Sequence, residues 1–325
     1  MMSVLRKIGA TDIEVTPVAM GCWPITGITS VDVTRDASLQ TLQAAFDSGI
    51  NFFDTAYSYG YEGESERMIA EVLGAHRDEI VIASKCGLSW NSKREKVHDA
   101  RPEVIRRHCD ESLQRLNTDR IDLYYLHAPD PETPVEDSAE VFKELLDSGK
   151  IRAVGVSNFH TVELFERFRS VCPIATAQPH YNMLQREIED SILPWCVTNQ
   201  VSVIPYWPLM KGFLAGKLSR DHSWDPKDGR QKYEVFQGRE WDKTHDFLDE
   251  LRPLAETAGI SLAQLTIAWT IQRPGITSAL CGAKRPEQIQ ETAQAMEIQL
   301  PAATIKAIDE AIVRRGPVIS RPAVT

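Results

Sequence analysis

The chain has 325 residues, of which 42% are hydrophobic and 25% charged, a composition typical of a folded globular protein and unlike that of a disordered one. Its 46 acidic residues outnumber the 36 Lys and Arg, for a net charge of −10, and no block of basic residues occurs; we therefore expect no nucleic acid partner. With no apolar run of about 18 residues and no apolar signal-peptide core at residues 1–7, we expect a cytoplasmic protein that does not cross a membrane.

Short apolar runs alternate with longer amphipathic segments along most of the chain. The predicted strands are residues 18–20, 51–53, 80–83, 121–126, 153–156, 175–177, 201–204 and 277–281. Segments with apolar residues at helical spacing follow them, for example residues 64–73 and 289–296. Strands that are apolar throughout are typical of a parallel sheet covered on both faces. Eight strand–helix units predict an α/β fold with a single (β/α)8 TIM barrel, so residues 1–325 are expected to form one domain, although the length alone allows two.

Three segments lie outside the eight units. Residues 7–15 alternate in polarity and turn at 9–10 or 11–12, which predicts a β-hairpin that plugs the N-terminal end of the barrel. Between strands seven and eight, a polar loop at 212–238 and an extra helix at 247–258 are predicted, and long loops of this kind are usually functional. Residues 314–325 are predicted to be a C-terminal tail.

Helix-terminal residues support the assignment. Thr133 to Glu136, with Pro134 as the first helical residue, and Ser261 to Gln264 match the capping-box pattern. Gly49 and Gly149 are placed where a helix ends before a strand.

Polar side chains with complementary chemistry follow three consecutive strands. Asp54 and Tyr59 follow the second strand, Lys85 the third and His127 the fourth. In a barrel of this kind these strand ends meet at the catalytic face. Each residue alone has an ordinary structural explanation, but the set suits proton transfer. A Lys charge about 4 Å from a Tyr hydroxyl is worth up to about 4 kcal/mol, or about three pKa units, in favour of phenolate.

These residue types predict a proton relay. Asp54 would hold the Lys85 ammonium, Lys85 would lower the pKa of Tyr59, and His127 would donate a hydrogen bond to a substrate oxygen. Such a relay would act on a carbonyl or alcohol oxygen without a metal or a covalent intermediate.

Several stretches resemble the aldo-keto reductase superfamily along essentially the whole chain. They are NFFDTA (51–56) with Tyr59-Gly60, SKCG (84–87), LYYLH (123–127), GKIRAVGVSNF (149–159), QPHYN (178–182) and GAKRPEQ (282–288). The stretches HAPD (127–130) and KGFLAGK (211–217) are similar to the bacterial branch that also contains relatives of the potassium-channel β-subunits.

The resemblance implies hydride transfer between a nicotinamide cofactor and a carbonyl carbon. Tyr59 would be the proton donor, Lys85 and Asp54 would tune it, and His127 would orient the substrate. The long loop would close over the cofactor pyrophosphate. The cofactor-binding residues implied are Gly21, Trp23, Asp54, Ser157, Asn158, Gln178, Tyr206, Trp207, Leu209, Lys211, Gly212, Lys217, Gly282, Lys284, Gln288, Glu291 and Thr292.

The residues expected around the cofactor 2′-phosphate differ from those of many relatives. Many relatives place a Lys-Ser pair and an Arg around the 2′-phosphate, where this chain has Gly282-Ala283 and Gln288. Lys284 and Arg285 can still supply positive charge, so we expect NADPH, with NADH as the alternative.

Two other functions are compatible with parts of the sequence. A Schiff-base aldolase would use Lys85 as nucleophile but leaves Asn158, Gln178 and Tyr206 without a role. A cofactor-binding regulatory module, as in the channel β-subunits, is the other alternative. Trp23, Trp90 and Trp207 suggest an aromatic-walled pocket for a small carbonyl substrate, and we expect a monomer.

Overall fold

Eight of the twelve strands in the computed structural model, which describes residues 5–318, form one parallel sheet. The strands are β1 Arg6–Lys7, β2 Glu14–Val15, β3 Val18–Gly21, β4 Phe52–Asp54, β5 Val81–Cys86, β6 Leu88–Trp90, β7 Lys96–His98, β8 Ile121–Leu126, β9 Ile151–Ser157, β10 Thr176–Gln178, β11 Ser202–Val203 and β12 Ala279–Gly282. The helices are α1 Arg35–Asp47, α2 Glu64–Leu73, α3 Pro102–Leu116, α4 Val135–Asp147, α5 Val162–Arg169, α6 Ile192–Thr198, α7 Gly238–Ala258, α8 Leu262–Ile271, α9 Pro286–Ala293 and α10 Ala302–Arg315.

The sheet has the strand order expected of a (β/α)8 fold. Its order is β11-β10-β9-β8-β5-β4-β3-β12, and every neighbouring pair is parallel. The two outer strands also approach each other, because Thr277 N donates to Val203 O at 2.9 Å and Leu280 N donates to Pro205 O at 3.0 Å. Each predicted strand corresponds to an observed one, with ends shifted by up to three residues.

The apolar strands are explained by burial on both faces. Ala19, Phe52 and Leu123 belong to a buried cluster inside the sheet, whereas their chain neighbours Val18 and Phe53 pack in the larger cluster beneath the helices. Alternate side chains of a strand point to opposite faces, so both faces must be apolar here.

The predicted hairpin is present, formed by the antiparallel pair β1 and β2. Its Ile8, Ile13 and Val15 are buried in the same interior cluster as the inward-facing strand residues. Backbone Gly9 N also donates to Ser202 Oγ at 2.9 Å, which ties the turn to β11.

Of the two predicted capping boxes, the one at α8 is present and the one at α4 is not. At α8, Ser261 Oγ accepts from Gln264 N at 3.2 Å and Gln264 Oε1 accepts from Ser261 N at 2.9 Å, as predicted. At α4, Pro134 is the N-cap residue and lies outside the helix. The Thr133 hydroxyl instead donates to Asp130 Oδ2 at 2.8 Å, so it stabilises the preceding turn. Gly49 and Gly149 have φ of 81° and 74°, the left-handed conformation that glycine favours after a helix.

The segment between β11 and β12 is more helical than predicted. Three 3₁₀ turns, Met210–Ala215, Gly229–Lys232 and Glu234–Phe236, occupy the predicted loop, and α7 begins nine residues before the predicted helix. The helix α10 continues to Arg315, so the predicted tail begins inside a helix, and its residues 319–325 lie outside the described range. Within residues 5–318, no helix is long and apolar enough to cross a membrane.

Candidate functional site

The Lys85 ammonium lies at the centre of the predicted relay. The parallel strands β4 and β5 bring Asp54, the last residue of β4, beside Lys85, and both side chains are at most 1% exposed. Lys85 Nζ donates to Asp54 Oδ1 at 2.5 Å, to the backbone oxygen of Thr55 at 2.8 Å and to the Tyr59 hydroxyl at 3.3 Å. Since an ammonium has three donors, all of them are used. The Tyr59 oxygen accepts from Lys85, which leaves its own proton for a different acceptor.

The pKa of Tyr59 differs from the expectation. Burial raises it well above its usual value of about 10, and the Asp54 carboxylate adds to this rise. The net direction is therefore opposite to the lowering that the charge of Lys85 alone was expected to give. Burial also lowers the pKa of Lys85, an effect that Asp54 opposes. Tyr59 consequently remains protonated at neutral pH, as a proton donor must.

His127 lies directly after β8 and faces Tyr59, with ring centroids 5.9 Å apart and planes at 67°. Its Nδ1 is buried and has no hydrogen-bond partner within residues 5–318. Burial, together with the charge of Lys85, lowers the pKa of His127 well below its usual value, so the imidazole is neutral. A neutral imidazole offers one donor and one acceptor to a substrate.

Four residues predicted to contact the nicotinamide lie next to the relay and are linked to it by hydrogen bonds. Gln178 Nε2 donates to Asp54 Oδ2 at 2.8 Å, and Ser157 Oγ donates to the Gln178 backbone oxygen at 3.0 Å. Asn158 Nδ2 donates to the His127 backbone oxygen at 2.8 Å, while Asn158 Oδ1 accepts from the Tyr206 hydroxyl at 2.8 Å. The strand ends of β4, β8, β9 and β10 thus share one polar network.

A cleft of about 370 Å³ adjoins this network. The Trp23 ring connects the two, because it lines the cleft and lies 5.1 Å from the Tyr59 ring. Eleven of the predicted cofactor-binding residues line the cleft: Trp23, Trp207, Leu209, Lys211, Gly212, Lys217, Gly282, Lys284, Gln288, Glu291 and Thr292. Gly21 does not line it but is paired with Gly282 in the register of β3 and β12.

Four cations line the cleft of this acidic protein. Lys211 lies 4.1 Å from the Trp207 ring centroid, and Lys217 pairs with Glu291. Lys284 Nζ donates to Val31 O at 2.9 Å. Arg230 is the fourth.

The backbone around Lys211 is unusual. Met210, Lys211 and Gly212 have φ of 45°, 52° and 90°, so three consecutive residues have positive φ, which only the glycine adopts without steric cost. This turn lies on the cleft wall.

Sequence reasoning missed part of the cleft wall. Asp228 and Arg230 line it, joined by an ion pair of 2.6 Å, and Arg230 Nη1 donates to Lys211 O at 3.3 Å. Residues 29–31, after β3, line it as well. The only signal for Arg230 was its position in the long loop already identified as functional.

The predicted aromatic wall is partly structural. Trp90 Nε1 donates to the Ser58 backbone oxygen at 2.9 Å, in the loop that carries Tyr59. Trp90 lies in β6, which pairs with β7 in a hairpin that the sequence analysis did not predict. Within residues 5–318, no group of three His, Cys, Asp or Glu side chains could hold a metal ion.

Comparison with known proteins decides the family. The model of the aldo/keto reductase family matches residues 17–313. The chain belongs to this family. Aldo-keto reductases use nicotinamide cofactors and act on small carbonyl compounds, and this chain is accordingly an oxidoreductase.

Individual relatives include enzymes and a channel subunit. Aldo-keto reductase YhdN of Bacillus subtilis is 37% identical over 287 residues, 87% of this chain and 86% of the relative. The NADH-specific methylglyoxal reductase of Escherichia coli is 33% identical over 91% of this chain and 95% of the relative. A probable voltage-gated potassium channel subunit beta of Oryza sativa subsp. japonica is 31% identical over 96% of this chain and 97% of the relative. Among solved structures, the glycerol dehydrogenase of Gluconobacter oxydans is 34% identical with a TM-score of 0.90, and each chain covers 100% of the other.

The cleft of this aldo-keto reductase suits a nicotinamide dinucleotide. Its cations can pair with phosphate oxygens, and its glycines Gly212 and Gly282 allow a close approach of backbone to ligand. The cleft also leads, past Trp23, to Tyr59.

Proposed function

We propose that this chain is an NADP(H)-dependent oxidoreductase that reduces aldehydes or ketones, or oxidises the corresponding alcohols or sugars, with Tyr59 as the proton donor. The observation that carries the proposal is the set of three hydrogen bonds from Lys85 Nζ to Asp54, Thr55 and Tyr59. This arrangement turns the Tyr59 proton away from Lys85 and leaves it for a substrate oxygen.

Each residue of the relay has a separate role in the proposed reaction. The bound cofactor supplies the hydride that a carbonyl carbon receives. Tyr59 gives its proton to the carbonyl oxygen, and the Lys85 ammonium stabilises the phenolate that remains, by a charge-assisted hydrogen bond. Asp54 holds Lys85 in place from one side, and neutral His127 positions the substrate oxygen opposite Tyr59.

We propose NADPH as the preferred cofactor. Lys284 and Arg230 both line the cleft and can pair with a 2′-phosphate, and Lys211 and Lys217 can pair with the pyrophosphate. Ser157, Asn158 and Gln178 would hold the nicotinamide amide, with Tyr206 against its ring. One relative is named as NADH-specific, so the preference must be measured.

Substrates are proposed from the named relatives and the shape of the site. Two of these relatives are a methylglyoxal reductase and a glycerol dehydrogenase. Small 2-oxoaldehydes and polyols are therefore the first compounds to test.

The cofactor-binding regulatory module is the alternative function. The relay supports the enzyme, because it supplies a proton donor beside the cleft and catalytic turnover requires one. The related proposals are that the hairpin β1–β2 plugs the barrel and that the protein works as a monomer in the cytoplasm. Its six cysteines are all unpaired, as is typical of a reducing compartment.

The test is a titration followed by turnover. Dissociation constants for NADPH and NADH are measured by the quenching of tryptophan fluorescence, and turnover is then measured on aldehydes, methylglyoxal and glycerol. We expect tighter binding of NADPH and turnover of at least one carbonyl compound. Tighter binding of NADH would overturn the cofactor preference, and binding without any turnover would favour the regulatory module.

A further inference from the structure

A group of polar side chains, buried His108 with the partly exposed Glu111 and Arg115, packs against the loop that carries Tyr59, and none of the three lines the cleft. On α3, the side chains of His108, Glu111 and Arg115 share one face, because positions three, four and seven residues apart fall on the same side of a helix. All three contact Tyr57, two residues before Tyr59.

Tyr57 is fixed by these contacts. Its hydroxyl donates to Glu111 Oε2 at 2.6 Å, and its ring is stacked on His108 with centroids 3.6 Å apart. The Arg115 guanidinium lies 4.2 Å from the same ring, and Arg115 Nη1 donates to the Tyr57 backbone oxygen at 3.3 Å. The Tyr57 hydroxyl is therefore occupied by a structural contact.

Arg115 also contacts the far end of the loop. Its side chain is packed so closely against Gly63, the N-cap residue of α2, that a Cβ on that residue would lie 2.5 Å from Arg115 Cδ. Arg115 Nη1 further pairs with Glu66 of α2 at 3.3 Å, and the Glu66 side chain is 0% exposed. One guanidinium thus touches the loop before Tyr59 and after it.

The remaining contacts of the loop lead to the relay. Backbone Tyr57 N donates to Lys85 O at 3.0 Å, and Ser65 N donates to Tyr59 O at 3.2 Å. Glu66 accepts from Ser84, the residue before Lys85, at 2.6 Å. A change at Arg115 would consequently move the backbone on both sides of Tyr59 and disturb the strand residue beside Lys85.

We propose that Arg115 is a positioning residue for the reaction: it holds the loop through the Tyr57 carbonyl, Gly63 and Glu66, and so keeps the Tyr59 hydroxyl within reach of Lys85. This proposal rests on the proposed function of Tyr59 as proton donor. A planar guanidinium can stack flat on the Tyr57 ring while its N–H groups reach both oxygens in fixed directions, whereas a lysine ammonium is a point charge without this planar fork.

The test compares Arg115→Met and Arg115→Lys with Arg106→Met. Arg106 is on the same helix but exposed, where it pairs with Glu144 at 2.7 Å. We expect Arg115→Met to lower kcat about 10- to 100-fold, because small displacements of a reacting group have effects of this size. Arg115→Lys should lie between it and the wild type, and Arg106→Met should keep wild-type kcat. The NADPH dissociation constant should stay within about twofold, and the solvent deuterium isotope effect on kcat should rise as proton transfer becomes slower.

Folding is controlled separately. Arg115→Met leaves the Glu66 carboxylate buried without its cation, which can prevent folding. If the Met variant does not fold, the double variant Arg115→Met/Glu66→Gln and the Arg115→Lys variant are used instead. A folded Met variant, single or double, with kcat within twofold of the wild type would overturn the proposal. So would an Arg115→Lys variant with full activity, or a fall in kcat matched by an equal loss of cofactor affinity.

A crystal structure of the same variant separates this proposal from the proposed function. The distance from Tyr59 Oη to Lys85 Nζ, 3.3 Å here, should lengthen by about 1 Å or more, the size of displacement at which catalysis suffers. If this distance is unchanged in the variant, the proposed role of Arg115 is overturned, whatever the activity of the variant. If the wild type reduces no carbonyl compound, the proposed function fails while the distance still tests the role of Arg115 as a clamp.

Discussion

Removal of one oxygen atom, in Tyr59→Phe, tests the proposed chemistry most directly. Within residues 5–318 the hydroxyl accepts one hydrogen bond, from Lys85 at 3.3 Å, which is slightly longer than is usual for such bonds. Lys85 keeps its two shorter bonds, to Asp54 and to the Thr55 backbone oxygen. We therefore expect the free energy of unfolding to change by less than about 1.5 kcal/mol.

The effect on catalysis should be much larger. A general acid contributes about 10²- to 10⁴-fold to a rate, or about 3 to 5 kcal/mol of transition-state stabilisation. Carbonyl reduction by Tyr59→Phe should fall by that factor, while the dissociation constant of NADPH should be unchanged. Turnover is followed by the absorbance of the reduced cofactor and binding by fluorescence titration.

Tyr57→Phe is the matched control, because it removes the same atom two residues earlier. Its hydroxyl donates to Glu111, away from the relay, and the ring and carbonyl that contact Arg115 are retained. We expect turnover to fall by no more than about threefold. Wild-type turnover in Tyr59→Phe, or an equal loss in both variants, would refute the assignment of Tyr59 as proton donor.

Two further predictions concern the stability of the fold. Lys85→Met should lower the free energy of unfolding, measured in urea at pH 7, by about 3 to 5 kcal/mol, because Asp54 is left buried without its cation. Adding Asp54→Asn to the same chain should restore part of this free energy. If it restores none, the buried Asp54 charge is not the cause. Burial lowers the pKa of His108 to about 4, so this side chain binds fewer protons in the folded than in the unfolded state between pH 6.5 and 4. The free energy of unfolding should therefore fall by about 3 kcal/mol as the pH drops through this window. His108→Asn should flatten this part of the stability curve, and an unchanged slope would show that His108 does not titrate in this window.

The strands could be predicted from the sequence because both faces of the sheet are buried. Runs such as Ile121–Leu126 are apolar at every position but one, so each run stands out from its polar surroundings. The exception, Asp122, is 1% exposed and pairs with Arg77 and Arg152. Its carboxylate also accepts from Ile82 N at 2.9 Å, which satisfies a backbone donor of the neighbouring strand.

Elements without such a contrast were missed or misplaced. The helix α8 has nine buried residues among ten, and so no polar face to give a period, although its capping box marked where it begins. The strands β6 and β7 flank the polar residues 91–95, which resemble a loop by composition. Arg230 reaches the cleft through a long connection whose path no residue spacing determines.

The direction in which the Tyr59 pKa shifts depends on how far Tyr59 and Lys85 are buried, which their residue types alone do not determine. Placing Lys85 beside Tyr59 was sufficient to predict their contact, and the contact is present. The sign of the shift is set by the loss of water around both groups, which favours the uncharged form of each. A protonated Tyr59 is the form that the proposed carbonyl reduction requires, because this form can give a proton. Oxidation of an alcohol would first require that proton to leave, with the Lys85 ammonium stabilising the resulting phenolate.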